Sequence, residues 1–151
     1  MDDVDRELLR LLQQDAGMPY TALGKAVGLS AGAAHDRVRK LRERGVIRRT
    51  TIEIDPRAVG RGVLAFVMVD ANAWMGDPST REALAQIAEI EEAHIVAGAA
   101  SVLVKVRTAS TEALQQALRR IFGVDGVTGT DAIVVLETFF ERPTHIAPHT
   151  T

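Results

Sequence analysis

Among its 151 residues the sequence has no cysteine, which excludes disulfides and thiolate metal sites and suits a reducing compartment. It also lacks any apolar run near the roughly 18 residues that a membrane span needs. A basic leader is missing too: the chain opens Met1, Asp2, Asp3, the opposite of a signal peptide's cationic start. No nucleophile–base spacing, phosphate-cradling glycine loop or paired-carboxylate signature occurs, so the residues point to no enzyme and no cofactor or metal. We expect a soluble, cytoplasmic protein. Nor is there a uniform excess of positive charge, since the formal net charge is -2.

That small total hides an asymmetry. Seven cations (Arg37, Arg39, Lys40, Arg42, Arg44, Arg48, Arg49) stand against two acids (Asp36, Glu43) between Asp36 and Arg49, a local +5. From Pro56 onward eight cations face eleven acids, a net -3. By itself a charge run is most simply a solvated helix face, so a motif has to decide what this one does.

Val4, Leu8, Leu11 and Leu12 fall at the spacing of a helix with one buried face, with Asp2 as its cap and a left-handed stop expected at Ala16 and Gly17. A second helix over Thr21 to Val27, with Ala22, Leu23, Ala26 and Val27, closes at Gly28. Ser30 then caps a third, whose buried stripe is Ala34, Val38 and Leu41 and whose stop is Gly45. After Gly45 the period switches: Val46 and Ile47, then Thr50 to Ile54, predict two short strands or a hairpin wing. Asp55, Pro56 and the Gly60 to Gly62 stretch mark a domain boundary.

The second half predicts strand, helix, strand, strand, helix, strand. The spans are Gly62–Asp70, Pro78–Ile90 (Leu84, Ile87 and Ala88 inward), Ala93–Ala97, Val102–Arg107, Thr111–Phe122 (Leu114, Leu118 and Ile121 inward) and Val127–Phe140. This βαββαβ order implies a ferredoxin-like sandwich, giving an α+β chain. Helices cover only one face of such a sheet, yet Val63, Ala65, Val67 and Val69 and their alternates Leu64, Phe66 and Met68 are all apolar. A second apolar sheet face implies an interface with another subunit, most simply a two-fold dimer.

Two short helices joined by Gly28, Leu29 and Ser30 have the makings of a helix-turn-helix whose third helix enters the major groove of double-stranded DNA. Its start is built of small residues, so Ala33 can offer only van der Waals contact, for instance to a thymine methyl. The longer readers are His35, Asp36 and Arg39, with Asp36 able to accept from cytosine N4. Arg37, Lys40, Arg42, Arg48 and Arg49 are assigned to phosphates, as is the second helix's N-terminus at Tyr20 and Thr21. So few readers per monomer leave affinity to phosphates and shape, and specificity to a dimer.

Met1 to Asp5, the Val27 to Ser30 turn, Arg37 to Leu41, Gly45 to Ile47, Asp55, Pro56 and Gly60 together resemble the Lrp/AsnC, or feast/famine, regulators of the actinobacterial kind. So do Val96 to Gly98, Gly126, Val127 and Thr130 in the second half. The resemblance implies a winged helix-turn-helix (1–50), a hinge strand or linker (51–61), a ferredoxin-like RAM domain for effector binding and oligomerisation (62–142) and a tail (143–151). It also implies a nucleoid-associated regulator whose dimers assemble into tetramers, octamers or larger discs. A small-molecule effector, usually an amino acid, would bind at Gly98, Ala99, Ala100 and Ser101, with Thr130, Asp131 and Ile133 from a neighbour. Two residues depart from the family pattern. Ser101 stands where an Asp is common, offering a hydrogen bond without charge complementarity, and Gly17 replaces a frequent Arg.

Other signals weigh less. Trp74 is expected to cap a core, and His94 to be a partly buried structural histidine. His145 and His149 sit in a tail too loosely spaced for a metal and expected to be poorly ordered. Two other functions share the resemblance: an architectural protein that wraps DNA with little sequence preference, and a tetrapyrrole-modifying enzyme with a degenerate helix-turn-helix and His94 as its contact. The intact basic stretch from Arg37 to Arg49 argues against the enzyme.

Overall fold

Asp2 begins the first helix, α1 (Asp3–Gln14), through a reciprocal capping box: its carboxylate accepts the Asp5 N–H at 2.9 Å while the Asp5 carboxylate faces the Asp2 N–H. The computed structural model describes residues 1–147. The helix ends as Asp15 turns extended and takes the Gly17 N–H on its side chain at 2.8 Å. Gly17 is not left-handed, so a side-chain cap replaces the expected glycine stop.

Helices α2 (Tyr20–Val27) and α3 (Ala31–Glu43) follow, joined by Gly28 at φ 71°. The Leu29 N–H reaches back to the Gly24 carbonyl at 2.8 Å, a Schellman ending that requires the left-handed residue between. Leu8, Leu23, Ala34 and Val38 form the core of this unit, with Val4, Leu11, Leu12, Met18, Tyr20, Val27 and Ile47 packed around it. Ala22 and Ala26 face solvent instead.

No strand forms among residues 44–62, so the expected hairpin is absent from this chain. The N–H groups of Val46 and Ile47 are consumed in ending α3, both donating to the Leu41 carbonyl at 2.9 and 3.2 Å. Ile52 and Ile54 lie exposed without a pairing partner.

The remaining elements are β1 (Val63–Ala71), α4 (Pro78–Ala85), β2 (Ile90–Ile95), β3 (Val102–Thr108), α5 (Thr111–Phe122) and β4 (Val127–Val134). They form one antiparallel sheet in the order β2-β3-β1-β4, the ferredoxin-like arrangement. Ala65, Val67, Val69, Val102, Val104 and Val106 on its inner face pack against Leu84, Leu114, Ala117 and Ile121.

Several bounds differ from the pattern reading. α4 stops at Ala85; Leu84 and Ile87 stay buried through a turn, and Ala88 faces solvent. β2 starts at Ile90 because Val106 of β3 lies opposite and offers it a partner. β4 ends near Val135, whose N–H meets Leu64, since β1 begins at Val63 and nothing beyond is available to pair.

Among the described residues two compact units result: residues 54–139, and residues 1–53 with 140–147. Residues 144–147 return to α1, where Gln13 donates to the Thr144 carbonyl at 3.1 Å and Arg6 to that of Ala147 at 2.9 Å. Residues 144–147 of the tail are therefore docked where disorder was expected; His149 lies outside the described residues. Among the described residues no helix is long and apolar enough to cross a membrane, and no His, Cys, Asp and Glu cluster could hold a metal.

Candidate functional site

In α3 the turn, the cap and the buried stripe together fix which side faces outward. Ser30 is the N-cap, its Oγ accepting the Ala33 N–H at 3.1 Å. With Ala34, Val38 and Leu41 buried, Asp36, Arg39 and Glu43 lie on the side opposite the core. Gly32 joins them at the helix start, and Ala33 is half-buried beside it. The notch between α2 and α3 depends on Gly24: a Cβ there would meet the Leu29 and Ser30 carbonyl oxygens at 2.6 and 2.9 Å. Sequence reading passed over this glycine because it sits inside a helical pattern, away from any turn.

The candidate DNA-contacting residues separate by what they already hold. On one flank Tyr20 packs edge-on against His35, ring centroids 4.8 Å apart, and its hydroxyl accepts from Arg42 at 3.4 Å. Thr21 is exposed next to it. On the other flank Arg37 donates to Asp2 and Asp5, both at 2.8 Å, tying α3 to the capping box of α1. The Asp5 hydrogen-bonded backbone and the Arg37 guanidinium hold the Asp2 carboxyl below its ordinary range, and the two carboxylates push Arg37 further up. Arg37 is a phosphate candidate by sequence; in the structure its guanidinium pairs with two carboxylates of the first helix. Lys40, Arg48 and Arg49 are exposed with no acidic partner among the described residues, as is Arg44.

Along the outward stripe, Arg39 bridges two acids, at 2.6 Å to Glu43 and 3.6 Å to Asp36. The Glu43 carboxylate raises the Arg39 pKa further. Glu43 is named in the sequence as an acid of the basic stretch but is not among the candidate DNA contacts; its i+4 spacing from Arg39 is the signal for the pair.

In the second unit, Gly98 adopts φ 153°, a region open to glycine alone, within the loop between β2 and β3. Ser101 closes that loop, accepting the Val96 N–H at 3.1 Å and donating its own N–H to Val69 at 2.9 Å. Ala99 is exposed and Ala100 half-buried. Thr130 pairs opposite Val69, on the far side of β1 from the loop. Asp131 and Ile133 lie on the other sheet face, opposite Met68 and Phe66. One chain thus does not bring the effector candidates together: Ser101 and Thr130 stand two strand spacings, about 10 Å, apart.

Elsewhere in this unit a cavity of about 690 Å³ opens between α4 and β2, with Met75, Leu84, Ile90 and Val102 as its apolar wall and Arg81 and His94 at its rim. Both aromatic expectations change. Trp74 is 70% exposed, its ring occupying the space over Gly76, and His94 is exposed and paired with Glu92 at 3.2 Å.

Residues 1–42 match the AsnC-type helix-turn-helix domain and residues 64–144 the Lrp/AsnC ligand binding domain. The chain is 37% identical over 141 residues to the HTH-type transcriptional regulator FL11 of Pyrococcus horikoshii, covering 93% of each. It is 37% identical over 146 residues to LrpA of Mycobacterium tuberculosis, covering 97% of each. Among solved structures, Escherichia coli AsnC superposes with a TM-score of 0.87 at 30% identity, covering 95% of this chain and 97% of that one. The feast or famine regulatory protein of M. tuberculosis complexed with L-methionine gives 0.89 at 36%, covering 97% and 99%.

Proposed function

Because the chain belongs to the Lrp/AsnC family of transcriptional regulators, we propose that α3 reads DNA in the major groove while Lys40, Arg48 and Arg49 grip phosphates, with Arg37 positioning the helix. The chain is a DNA-binding regulator modulated by a small metabolite, and its relatives are regulators by name, not enzymes. The observation that supports the assignment is the division of cations: Arg37 and Arg39 are paired with carboxylates, whereas Lys40, Arg48 and Arg49 are exposed with no acidic partner among the described residues, and a DNA-binding unit uses such cations on the backbone. Mobility shifts with duplexes selected from a random pool test it. Lys40→Ala, Arg48→Ala and Arg49→Ala should each flatten the slope of log K against log salt by about 0.9. Unchanged slopes for all three would remove this face from the interface. Discrete protected sites in footprinting, as opposed to extended periodic protection, would separate the regulator from an architectural wrapper.

The working unit in this reading is at least a homodimer, formed through the sheet face that carries no helix and open to further assembly. Leu64, Phe66, Met68, Leu103 and Ile133 share that face, bordered by Lys105, Arg107, Glu91 and Glu92. The effector is an amino acid held where the Gly98–Ser101 loop of one copy meets Thr130, Asp131 and Ile133 of another, since one chain leaves these groups apart. The L-methionine bound by the M. tuberculosis relative makes methionine the first ligand to try. Calorimetric titration with L-methionine, before and after Ser101→Ala, checks the loop's part.

A further inference from the structure

The outward face of α3 holds an acid–cation–acid row, Asp36, Arg39, Glu43, with a net charge of -1, and the exposed Lys40 lies beside it. Such a row is a poor phosphate gripper, because the two carboxylates are repelled by the backbone and the one cation between them is already engaged. As a reader of base edges it has a definite complement. A G·C pair shows guanine N7 and O6 as acceptors and cytosine N4–H as a donor, side by side in the major groove. A guanidinium next to a carboxylate matches that order. An A·T pair sets the adenine N6–H donor where the guanidinium needs an acceptor, so the same row is mismatched there.

We propose that Arg39, steadied between Asp36 and Glu43, reads guanine in a G·C pair, that Asp36 accepts from its cytosine, and that Glu43 keeps Arg39 off the phosphates. This rests on α3 being the groove helix. Glu43 is then a specificity residue that acts through Arg39: it lowers affinity for every duplex except one whose guanine outcompetes it. Exposed i,i+4 pairs of this kind add little to folding, so the carboxylate is removable without loss of the helix.

The test compares wild type, Glu43→Gln, Asp36→Asn and Arg39→Lys on a selected duplex and a scrambled duplex of equal length, over a range of salt. Glu43→Gln should raise affinity for the scrambled duplex about three- to tenfold. Its salt slope should steepen by about 0.9, one added phosphate contact. Affinity for the selected site should change less, so that discrimination falls. Arg39→Lys keeps the charge but loses the planar fork, and should lose roughly five- to a hundredfold of preference for guanine at one position of each half-site. The proposal is overturned if Glu43→Gln leaves the scrambled affinity and slope unchanged, or if selected sites show no G·C position sensitive to Arg39→Lys. If Lys40, Arg48 and Arg49 variants also leave binding untouched, the groove assignment has failed; if they weaken it while Glu43 is silent, only the present inference has.

Discussion

Arg37 and Lys40 are three residues apart in one basic stretch and do different things, because one finds carboxylates within reach and the other does not. Arg37→Ala breaks two bonds to the start of α1, including one to an Asp5 side chain only 12% exposed. We expect a loss of about 1–2 kcal/mol in the stability of the DNA-binding unit. DNA affinity should weaken with the salt slope unchanged, whereas Lys40→Ala should flatten the slope and leave the melting temperature alone. The same pair gives a pH dependence. The folded-state pKa of Asp2 is depressed, so its contribution is present above the ordinary carboxyl value and is lost as pH falls through the folded one. Helix signal followed by circular dichroism should therefore decline in acid, below about pH 4, and Asp2→Asn should make that decline smaller. At the proposed effector loop, Ser101→Asp would place a carboxylate near Gly98, and we expect methionine affinity to rise about tenfold through its ammonium group, read by calorimetry.

Between α2 and α3 the backbone itself occupies the space that a side chain at position 24 would need. Gly24→Ala should cost about 2–3 kcal/mol and abolish duplex binding, with thermal melting as the measurement. Gly28→Ala, where open space surrounds a left-handed backbone, should cost about 1 kcal/mol and leave binding measurable. The contrast shows what a sequence can convey about elements. Gly28 announces its turn locally, and the stripe Ala34, Val38, Leu41 announces a buried helix face by its period. The close approach at Gly24 depends on two helices meeting and leaves no local mark. The same limit explains the missing wing: Ile52 and Ile54 alternate as a strand should, but alternation reports which faces differ, not whether a partner strand exists. The end of β4 and the start of β2 were likewise set by where β1 and β3 run out, which no pattern within either segment encodes. In the site, the helix and its cations were legible from period and charge, whereas the ion pairs that divide those cations depend on α1 and α3 being neighbours.

A single copy presents one negatively charged reading row and a few free cations, too little for a regulator that must find one site among many. In the proposed dimer the helix-free sheet face supplies the remedy, and its composition fits a contact between copies. Phe66 and Met68 are half-buried at its middle, Ile133 is 54% exposed beside them, and Leu136 and Phe139 are 94% and 88% exposed just past β4. Helices α4 and α5 pack on the opposite face, so no helix of its own unit covers this surface, although Leu64 at its edge is buried. Lys105 and Arg107 border it with side chains just 16% and 13% exposed, each facing Glu91 across to β2, so the rim charges are already balanced. A surface of this kind with neutralised edges suits a two-fold partner presenting the same face. Phe66→Asp places an unpaired charge at its centre while leaving the inner core untouched. By sedimentation at micromolar concentration the variant should run as a monomer that keeps its secondary structure, and it should lose roughly a thousandfold or more in affinity for a palindromic site, because two half-sites then bind independently. A variant that stays dimeric with full affinity would move the interface elsewhere on the chain.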